Sequence, residues 1–155
     1  MHEGLGGIMV IRLESPLAVR VNSKRQFILN LNNYRNAYFR TLNTAKIAYK
    51  KFMEEQILSE IYKPLDKIAI QYKVFKGDRR RFDIGNVTSI HQKFFEDAIV
   101  ELGKLPDDRH ENLPLTFNTF GGISTDRPRV EITIYDLTVP ADKKIAYEDF
   151  KESIK

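Results

Sequence analysis

A strand pattern is followed directly by a helix pattern within residues 67–102, and this pair most constrains the fold. Side chains over residues 67–75 alternate between two faces, and Ile68, Ile70, Tyr72 and Val74 share one of them, as in a β-strand. Apolar residues then recur at helical spacing from about residue 84 to residue 102, and Gly103 marks the end of that helix. We therefore predict that the helix packs on a sheet containing the strand.

The rest of the chain adds four predicted strands and a second main helix to this pair. This helix begins at Asn43 or Thr44 and ends at about Tyr62, just before Pro64. Residues 30–43 show no clean period and are interpreted as a polar loop. The four strands are predicted over residues 8–13, 17–21, 114–120 and 129–136, with residues 17–21 alternatively continuing the first strand. A short helix is predicted from Ala146.

This order of strands and helices predicts an α+β fold. We expect a small mixed β-sheet with two main helices packed on one face. A chain of 155 residues suits one domain, and at that length roughly 68–70% of the unfolded surface can be buried. The prediction is therefore a single domain over residues 1–155, with residues 1–7 and 137–155 at its periphery.

The composition excludes several classes of protein. The chain has no cysteine, which excludes a disulfide framework, a Cys-ligated metal site and a thiol nucleophile. No apolar run approaches the roughly 20 residues of a membrane span, and no basic start followed by an apolar stretch marks a signal peptide. We therefore expect a cytoplasmic protein with no membrane partner.

Charge is distributed unevenly along the sequence. Residues 15–53 contain eight Lys and Arg residues and no Asp or Glu. Residues 15–81 contain 15 basic and 5 acidic residues, whereas residues 82–155 contain 9 basic and 14 acidic ones. A strongly basic half favours an anionic partner such as nucleic acid, and acidic residues in the other half favour bound cations. An ordinary solvated surface is the alternative.

Acidic side chains flank the predicted helix over residues 84–102. Asp83 precedes the helix and follows the basic run Arg79–Arg81, whereas Asp107 and Asp108 follow it on a loop. A loop after a helix can fold back beside the strand before that helix, which would bring Asp107 or Asp108 close to Asp83. Carboxylates gathered in this way suit Mg²⁺ or Mn²⁺, and such ions activate water for phosphodiester cleavage. The basic run would hold neighbouring phosphates.

Each of these features also has an ordinary structural interpretation. Asp83 suits the N-cap position of a helix, and Asp107 and Asp108 follow a proline, which is common in turns. Lys93 and Asp97 are four residues apart and could form a surface ion pair on the helix. The combination of these features is more specific than any one of them.

Residues 79–108 carry three short motifs in a fixed order. The motifs are Arg80-Arg81-Phe82-Asp83-Ile84-Gly85-Asn86, Phe95-Glu96-Asp97-Ala98-Ile99 and Gly103-Lys104-Leu105-Pro106-Asp107-Asp108. This stretch resembles the RusA-type endodeoxyribonucleases, Holliday junction resolvases common in phages and prophages. Their pattern is a basic run, Asp-x-Asp-Asn at a helix start, Asp-Ala-Leu near the helix end and a Gly-x-(Leu/Ile)-x-Asp-Asp loop. The resemblance extends over about residues 25–136, through Asn30-Leu31-Asn32-Asn33-Tyr34-Arg35 and Arg129-Val130-Glu131-Ile132-Thr133-Ile134.

The resemblance implies a homodimeric, metal-dependent DNA endonuclease that acts on four-way junctions or related branched DNA in recombination and repair. Two-fold symmetry suits such a substrate because it places two active sites on opposed strands. The implied site residues are Asp83, Asp107 and Asp108 as catalytic Mg²⁺ or Mn²⁺ ligands, Asp97 as a further ligand, Lys93 as the catalytic lysine and Asn86 as an orienting residue. The residues implied to bind DNA are Arg79, Arg80, Arg81, Arg35, Lys50, Lys51, Asn33 and Tyr34, with Tyr38 as a further stacking side chain.

One position departs from the family pattern. Gly85 stands where the family has the second Asp of Asp-x-Asp-Asn, which removes a candidate ligand. The helix is also about one turn longer than in the shorter members, so Lys93 matches the family's helix lysine when counted back from Asp97. Two alternatives therefore stand beside the endonuclease: a junction-binding protein that has lost catalysis through Gly85, and an interaction domain whose charges serve only solvation.

Overall fold

Six strands and four helices make up residues 10–155, the part of the chain that the computed structural model describes. The strands are β1 (Ile11–Ser15), β2 (Ala18–Asn22), β3 (Arg25–Ile28), β4 (Ile68–Lys76), β5 (Leu115–Ile123) and β6 (Arg129–Asp136). The helices are α1 (Leu31–Asn36), α2 (Phe39–Glu60), α3 (Ile84–Glu101) and α4 (Pro140–Ser153). None of these helices is long and apolar enough to cross a membrane.

Four of the strands form one mixed sheet, in the order β1-β6-β4-β5. β6 pairs antiparallel with β1 and with β4, whereas β5 pairs parallel with β4. β2 and β3 form a separate antiparallel hairpin. The α+β fold class and the mixed sheet predicted from the sequence are confirmed.

The two long helices pack on the same face of the sheet, as predicted, and α4 packs on the other face. The larger core joins α2 and α3 to the inward side chains of β1, β4 and β6, with Tyr49 and Phe95 fully buried in it. A smaller core lies under α4 and contains Phe117, Tyr135 and Ala146. Residues 137–155, expected at the periphery, therefore cover the second face of the sheet.

The interpretation of residues 30–43 as a polar loop is wrong. Asn30 caps α1, because its side chain accepts a hydrogen bond from the Asn33 backbone N–H at 2.7 Å. No residue of α1 is buried, so the helix has no apolar stripe for the sequence pattern to reveal. α2 begins at Phe39, and its first buried residue is Ala45, which is why the predicted start was several residues too late.

Other element boundaries differ from the prediction in smaller ways. β3 was not predicted, because only Phe27 of that strand is buried and no alternation marks it. β1 extends to Ser15, two residues beyond the predicted end, and the predicted positions 8 and 9 lie outside the described residues. α4 begins with Pro140 in its first turn, well before the predicted start at Ala146. Proline is well tolerated at that helix position because its backbone needs no hydrogen-bond donor there.

Candidate functional site

Asp83 lies at the N-terminus of α3, where it has a clear structural role. Its backbone is extended, and its side chain accepts a hydrogen bond from the Gly85 backbone N–H at 3.0 Å. This is the geometry of a helix N-cap, and it agrees with the ordinary interpretation of this residue. The carboxylate is nevertheless exposed, so it remains accessible to a cation.

Asp107 and Asp108 lie beyond the C-terminus of α3, on a loop that is tied to the start of β4. The Ile68 backbone N–H donates to the Asn112 carbonyl oxygen at 2.9 Å, which anchors this loop. Asp107 accepts a hydrogen bond from Arg109 Nε at 2.6 Å and another from the Asp108 backbone N–H at 2.8 Å. The hydrogen bond from Arg109 is the main cause that lowers the pKa of Asp107, so this carboxylate is ionised at neutral pH.

The structure therefore places the predicted ligands at opposite ends of α3. A helix of 18 residues is about 27 Å long. The expected fold-back of Asp107 or Asp108 to Asp83 does not occur, because α3 runs back along β4, so the loop after it meets the start of that strand. Within residues 10–155, no group of three or more His, Asp or Glu side chains is arranged to hold a metal ion.

The other predicted site residues of α3 lie along its length. Asp97 faces α2 and is 3.9 Å from Lys46 Nζ, with about two fifths of its side chain exposed. Lys93 is exposed one helical turn before Asp97 and makes no ion pair among the described residues, so the ion pair that their spacing allows does not form. Asn86 lies in the first turn of the helix, near Asp83.

Glu96 is a buried acid that the sequence reasoning missed. It is only 7% exposed, and the Tyr72 hydroxyl on β4 donates to its Oε2 at 3.1 Å. Burial raises the pKa of Glu96 to about 7, and the negative charges of Asp108 and Asp97 add to this shift. The sequence does contain a signal for this burial, because Glu96 directly follows Phe94 and Phe95 in the predicted helix. Asp108, Glu96 and Asp97 thus form one acidic region toward the C-terminal end of α3.

The basic run lies at the opposite end, beside Asp83. All three arginines of Arg79–Arg81 are exposed on the loop between β4 and α3. Arg80 Nη2 pairs with Asp78 at 3.0 Å, and Lys76 Nζ donates to the Arg80 carbonyl oxygen at 2.7 Å. Hydrogen bonds from Arg80 are the main cause that lowers the pKa of Asp78. Arg79 and Arg81 make no ion pair within the described part of the chain, so their charges face solvent.

The predicted DNA-binding residues before α3 differ in how accessible they are. Arg35 and Lys51 are exposed, whereas Lys50 Nζ is 3.0 Å from a Glu101 carboxylate oxygen. Tyr34 is half-buried, and its ring packs edge-on against Phe94 with a centroid distance of 6.4 Å. Tyr34 is therefore committed to the core rather than available to stack on a base. The remaining two residues are Asn33, whose Nδ2 donates to the Ile28 carbonyl oxygen at 3.0 Å, and Tyr38, which is 62% exposed.

A buried polar network lies apart from these groups. Ser15 Oγ is 2.6 Å from the Tyr49 hydroxyl and 2.6 Å from His91 Nδ1. His91 is fully buried, and its Nε2 has no hydrogen-bond partner within residues 10–155. Burial lowers the pKa of His91 to about 3, so the ring is neutral at physiological pH. The network joins β1, α2 and α3, which indicates a structural role.

Comparison with known proteins adds no family to this description. No protein-family model matches the chain, and no curated protein is significantly similar to it.

Proposed function

We propose that the protein is a Mg²⁺-dependent, structure-selective DNA endonuclease that acts on four-way junctions or related branched DNA. The observation that carries the proposal is the exposed loop Arg79–Arg81 next to Asp83 at the N-terminus of α3. Arginines hold the phosphates of a nucleic acid, and a carboxylate among them suits a cation that acts on the same backbone. The RusA-type resemblance of residues 79–108 supports the same function.

The metal site of this proposal needs two copies of the chain. Within one chain, Asp83 is separated by the length of α3 from Asp107 and Asp108, so these carboxylates cannot share an ion. A two-fold axis that sets two α3 helices antiparallel would bring Asp83 of one copy to Asp107 and Asp108 of the other. We therefore propose a homodimer with two composite sites, one for each of two opposed DNA strands.

Each of the site residues named below has a defined role in this proposal. The chemistry supplied by bound Mg²⁺ is activation of water and neutralisation of charge on the cleaved phosphodiester. Asp83, Asp107 and Asp108 would hold the ion, while the exposed Lys93 would stabilise negative charge on the phosphate. Asn86 would orient Asp83 from the same helical turn. Arg79 and Arg81 would bind the phosphates that flank the cleaved bond.

A second candidate is a protein that binds junctions without cleaving them. Two observations favour it: Gly85 supplies no carboxylate at the start of α3, and one chain alone gathers no complete ligand set within residues 10–155. DNA binding through the basic loop would persist in such a protein, because phosphate contacts do not require the carboxylates.

One experiment separates these candidates. An end-labelled four-way junction is incubated with the protein, with and without Mg²⁺, and analysed on native and denaturing gels. The endonuclease proposal predicts paired nicks only with metal, and Asp108→Asn should abolish the nicks while the junction stays bound. If the protein contacts about six to eight phosphates, the logarithm of its association constant for DNA should fall with log[salt] with a slope of about −5 to −7.

Retention without nicks in either Mg²⁺ or Mn²⁺ would favour the binding protein. An affinity that does not change with salt would contradict both candidates, and would leave the interaction domain whose charges serve only solvation. Loss of binding in Asp108→Asn would instead indicate that this carboxylate is structural.

A further inference from the structure

A cavity of about 450 Å³ lies between the loop before α3 and the C-terminal end of β5. One side of the cavity is apolar and is formed by Phe82, Phe120 and Ile123. The other side is basic and is formed by Lys76 and the Arg79–Arg81 loop. None of the sequence motifs singles out Phe120 or Ile123, so this combination of side chains appears only in the folded chain.

The apolar side presents an aromatic ring to solvent rather than to the core. Phe120 is 53% exposed, and its only ring contact among residues 10–155 is with Phe82, at a centroid distance of 5.9 Å. Phe82 is in turn covered by Lys76, whose Nζ lies 4.3 Å from the ring centroid. The two phenylalanine rings are tilted by 55° to each other, so Phe82 does not cover the Phe120 ring face to face, and the exposed part of that ring is available for stacking.

A β-bulge holds Phe120 in this position. The register of β5 against β4 shifts after Phe120, so that Gly121 is the extra residue and Gly122 pairs with Phe75. A Cβ atom at Gly121 would lie 2.6 Å from the Phe75 ring, and Gly122 has a φ of +119°. Two glycines are therefore required here, and bulges of this kind commonly redirect a side chain at the edge of a sheet.

The basic side carries an excess of positive charge. Lys76 and the three arginines face a single acid, Asp78, which is already paired with Arg80 and Lys76. Arg79 and Arg81 make no ion pair among the described residues and keep their full charge for a ligand. An open aromatic face next to two uncommitted guanidinium groups matches a planar base attached to a phosphate.

We propose that this cavity binds one unpaired nucleotide of the DNA, with its base stacked on Phe120 and its phosphate held by Arg79 and Arg81. A base inside a duplex exposes only its edges, so stacking on a side chain requires a base that has left its pair, as in a gap or at a branch point that the bound protein opens. The inference rests on the proposed function, because it takes the ligand to be DNA. It adds that base stacking on Phe120 makes the protein prefer branched DNA to duplex DNA.

The test compares two DNA probes that differ only in pairing. One is a complete duplex, and the other is the same duplex with a short gap that leaves a 2-aminopurine unpaired. Binding to each probe is measured for the unaltered protein, for Phe120→Ala and for Phe120→Trp. Phe52→Ala is the matched control, since Phe52 is 57% exposed on α2 and lies outside this cavity.

We expect Phe120→Ala to weaken binding to the gapped probe by about 5- to 150-fold, which is the usual contribution of one stacked base. Binding to the duplex and the salt dependence should stay the same, because Phe120 contacts no phosphate. The unaltered protein and Phe120→Trp should quench 2-aminopurine fluorescence, whereas Phe120→Ala should not. Phe52→Ala should behave as the unaltered protein on both probes.

Two results would overturn the inference while leaving the proposed function intact. One is salt-dependent binding of both probes that Phe120→Ala does not change. The other is an equal loss on the duplex and the gapped probe, or a change in oligomeric state, which would indicate that Phe120 serves folding or a protein contact. If the unaltered protein binds neither probe, the inference fails too, and the four-way junction assay described above decides separately whether the proposed function stands.

Discussion

Asp83 combines a structural role at the start of α3 with a proposed role as a metal ligand, and two substitutions separate them. Asn and Asp cap helices about equally well, so Asp83→Asn should leave the free energy of unfolding nearly unchanged. Asp83→Ala removes the bond to the Gly85 N–H and should cost about 0.5–2 kcal/mol. Urea unfolding measures this difference.

Both variants should lose Mg²⁺-dependent nicking, because neither carries the carboxylate. A gel assay of the junction under the conditions described above measures this loss. Nicking by Asp83→Asn at the unaltered rate would remove Asp83 from the metal site and leave it as a cap alone.

Because His91 is buried, we expect the free energy of unfolding to depend on pH. Its ordinary pKa is 6.5 and burial lowers it to about 3, so protonation favours the unfolded chain. The contribution of His91 is therefore fully present above pH 6.5 and is lost as the pH falls from 6.5 toward 3. Glu96 has the opposite dependence, because its raised pKa makes stability fall as the pH rises from about 4.5 to about 7.

A comparison with His91→Gln isolates the histidine, because Glu96 is the same in both proteins. As the pH is lowered from 6.5 to 4, the free energy of unfolding of the unaltered protein should fall relative to that of His91→Gln. The slope of this difference should approach about 1.4 kcal/mol per pH unit. Urea unfolding at several pH values measures this difference. A difference that is constant with pH would show that His91 is protonated in the folded protein.

At the scale of secondary-structure elements, the sequence pattern predicted the strands and helices that bury a periodic set of side chains. β4 buries a complete face of alternating residues, and α3 buries an apolar stripe, so both were predicted nearly to the residue. α1 has no fully buried residue and β3 fully buries only Phe27, so neither has a period to detect. The position of the Asp107–Asp108 loop was predicted wrongly for a different reason. Local patterns show that a helix follows a strand, but the direction in which α3 returns decides which strand end its loop meets.

Substitutions of Gly85 test whether a carboxylate added to the first turn of α3 helps to bind a metal ion. A Cβ atom there would approach only Asp83 Oδ1, at 3.4 Å, so a side chain fits. Gly85→Ala should stabilise the protein by about 0.4–1 kcal/mol, because alanine restricts the backbone of the unfolded chain more than glycine does. Gly85→Asp adds a second carboxylate beside Asp83, and Mg²⁺ should therefore raise its thermal midpoint more than that of Gly85→Ala. An equal response of both variants to Mg²⁺ would indicate that the start of α3 holds no metal.

At the scale of the whole molecule, charge that is separated along the sequence is partly interleaved in space. Lys50 of the basic half pairs with Glu101 of the acidic half at 3.0 Å, and Lys46 approaches Asp97 at 3.9 Å. The uneven charge of the sequence therefore overstated the positive potential along α2. The Arg79–Arg81 loop is less affected, because Arg80 is its only arginine with an acidic partner in the part of the chain that the structure describes. This is why the loop, rather than the longer acid-free stretch, carries the proposal of DNA binding.

The composite sites of the proposed dimer predict that two inactive variants complement each other. Asp83→Asn and Asp108→Asn are each expected to be inactive as homodimers, since every site then lacks one carboxylate. In a mixed dimer, one site would lack both carboxylates and the other would have both, because each site takes Asp83 from one copy and Asp108 from the other. Unfolding the two variants together and refolding them should therefore restore nicking, but of one strand per junction rather than two. Each variant refolded alone is the control. A mixture as inactive as its components would contradict composite sites, because ligands held within one chain cannot be completed by a partner.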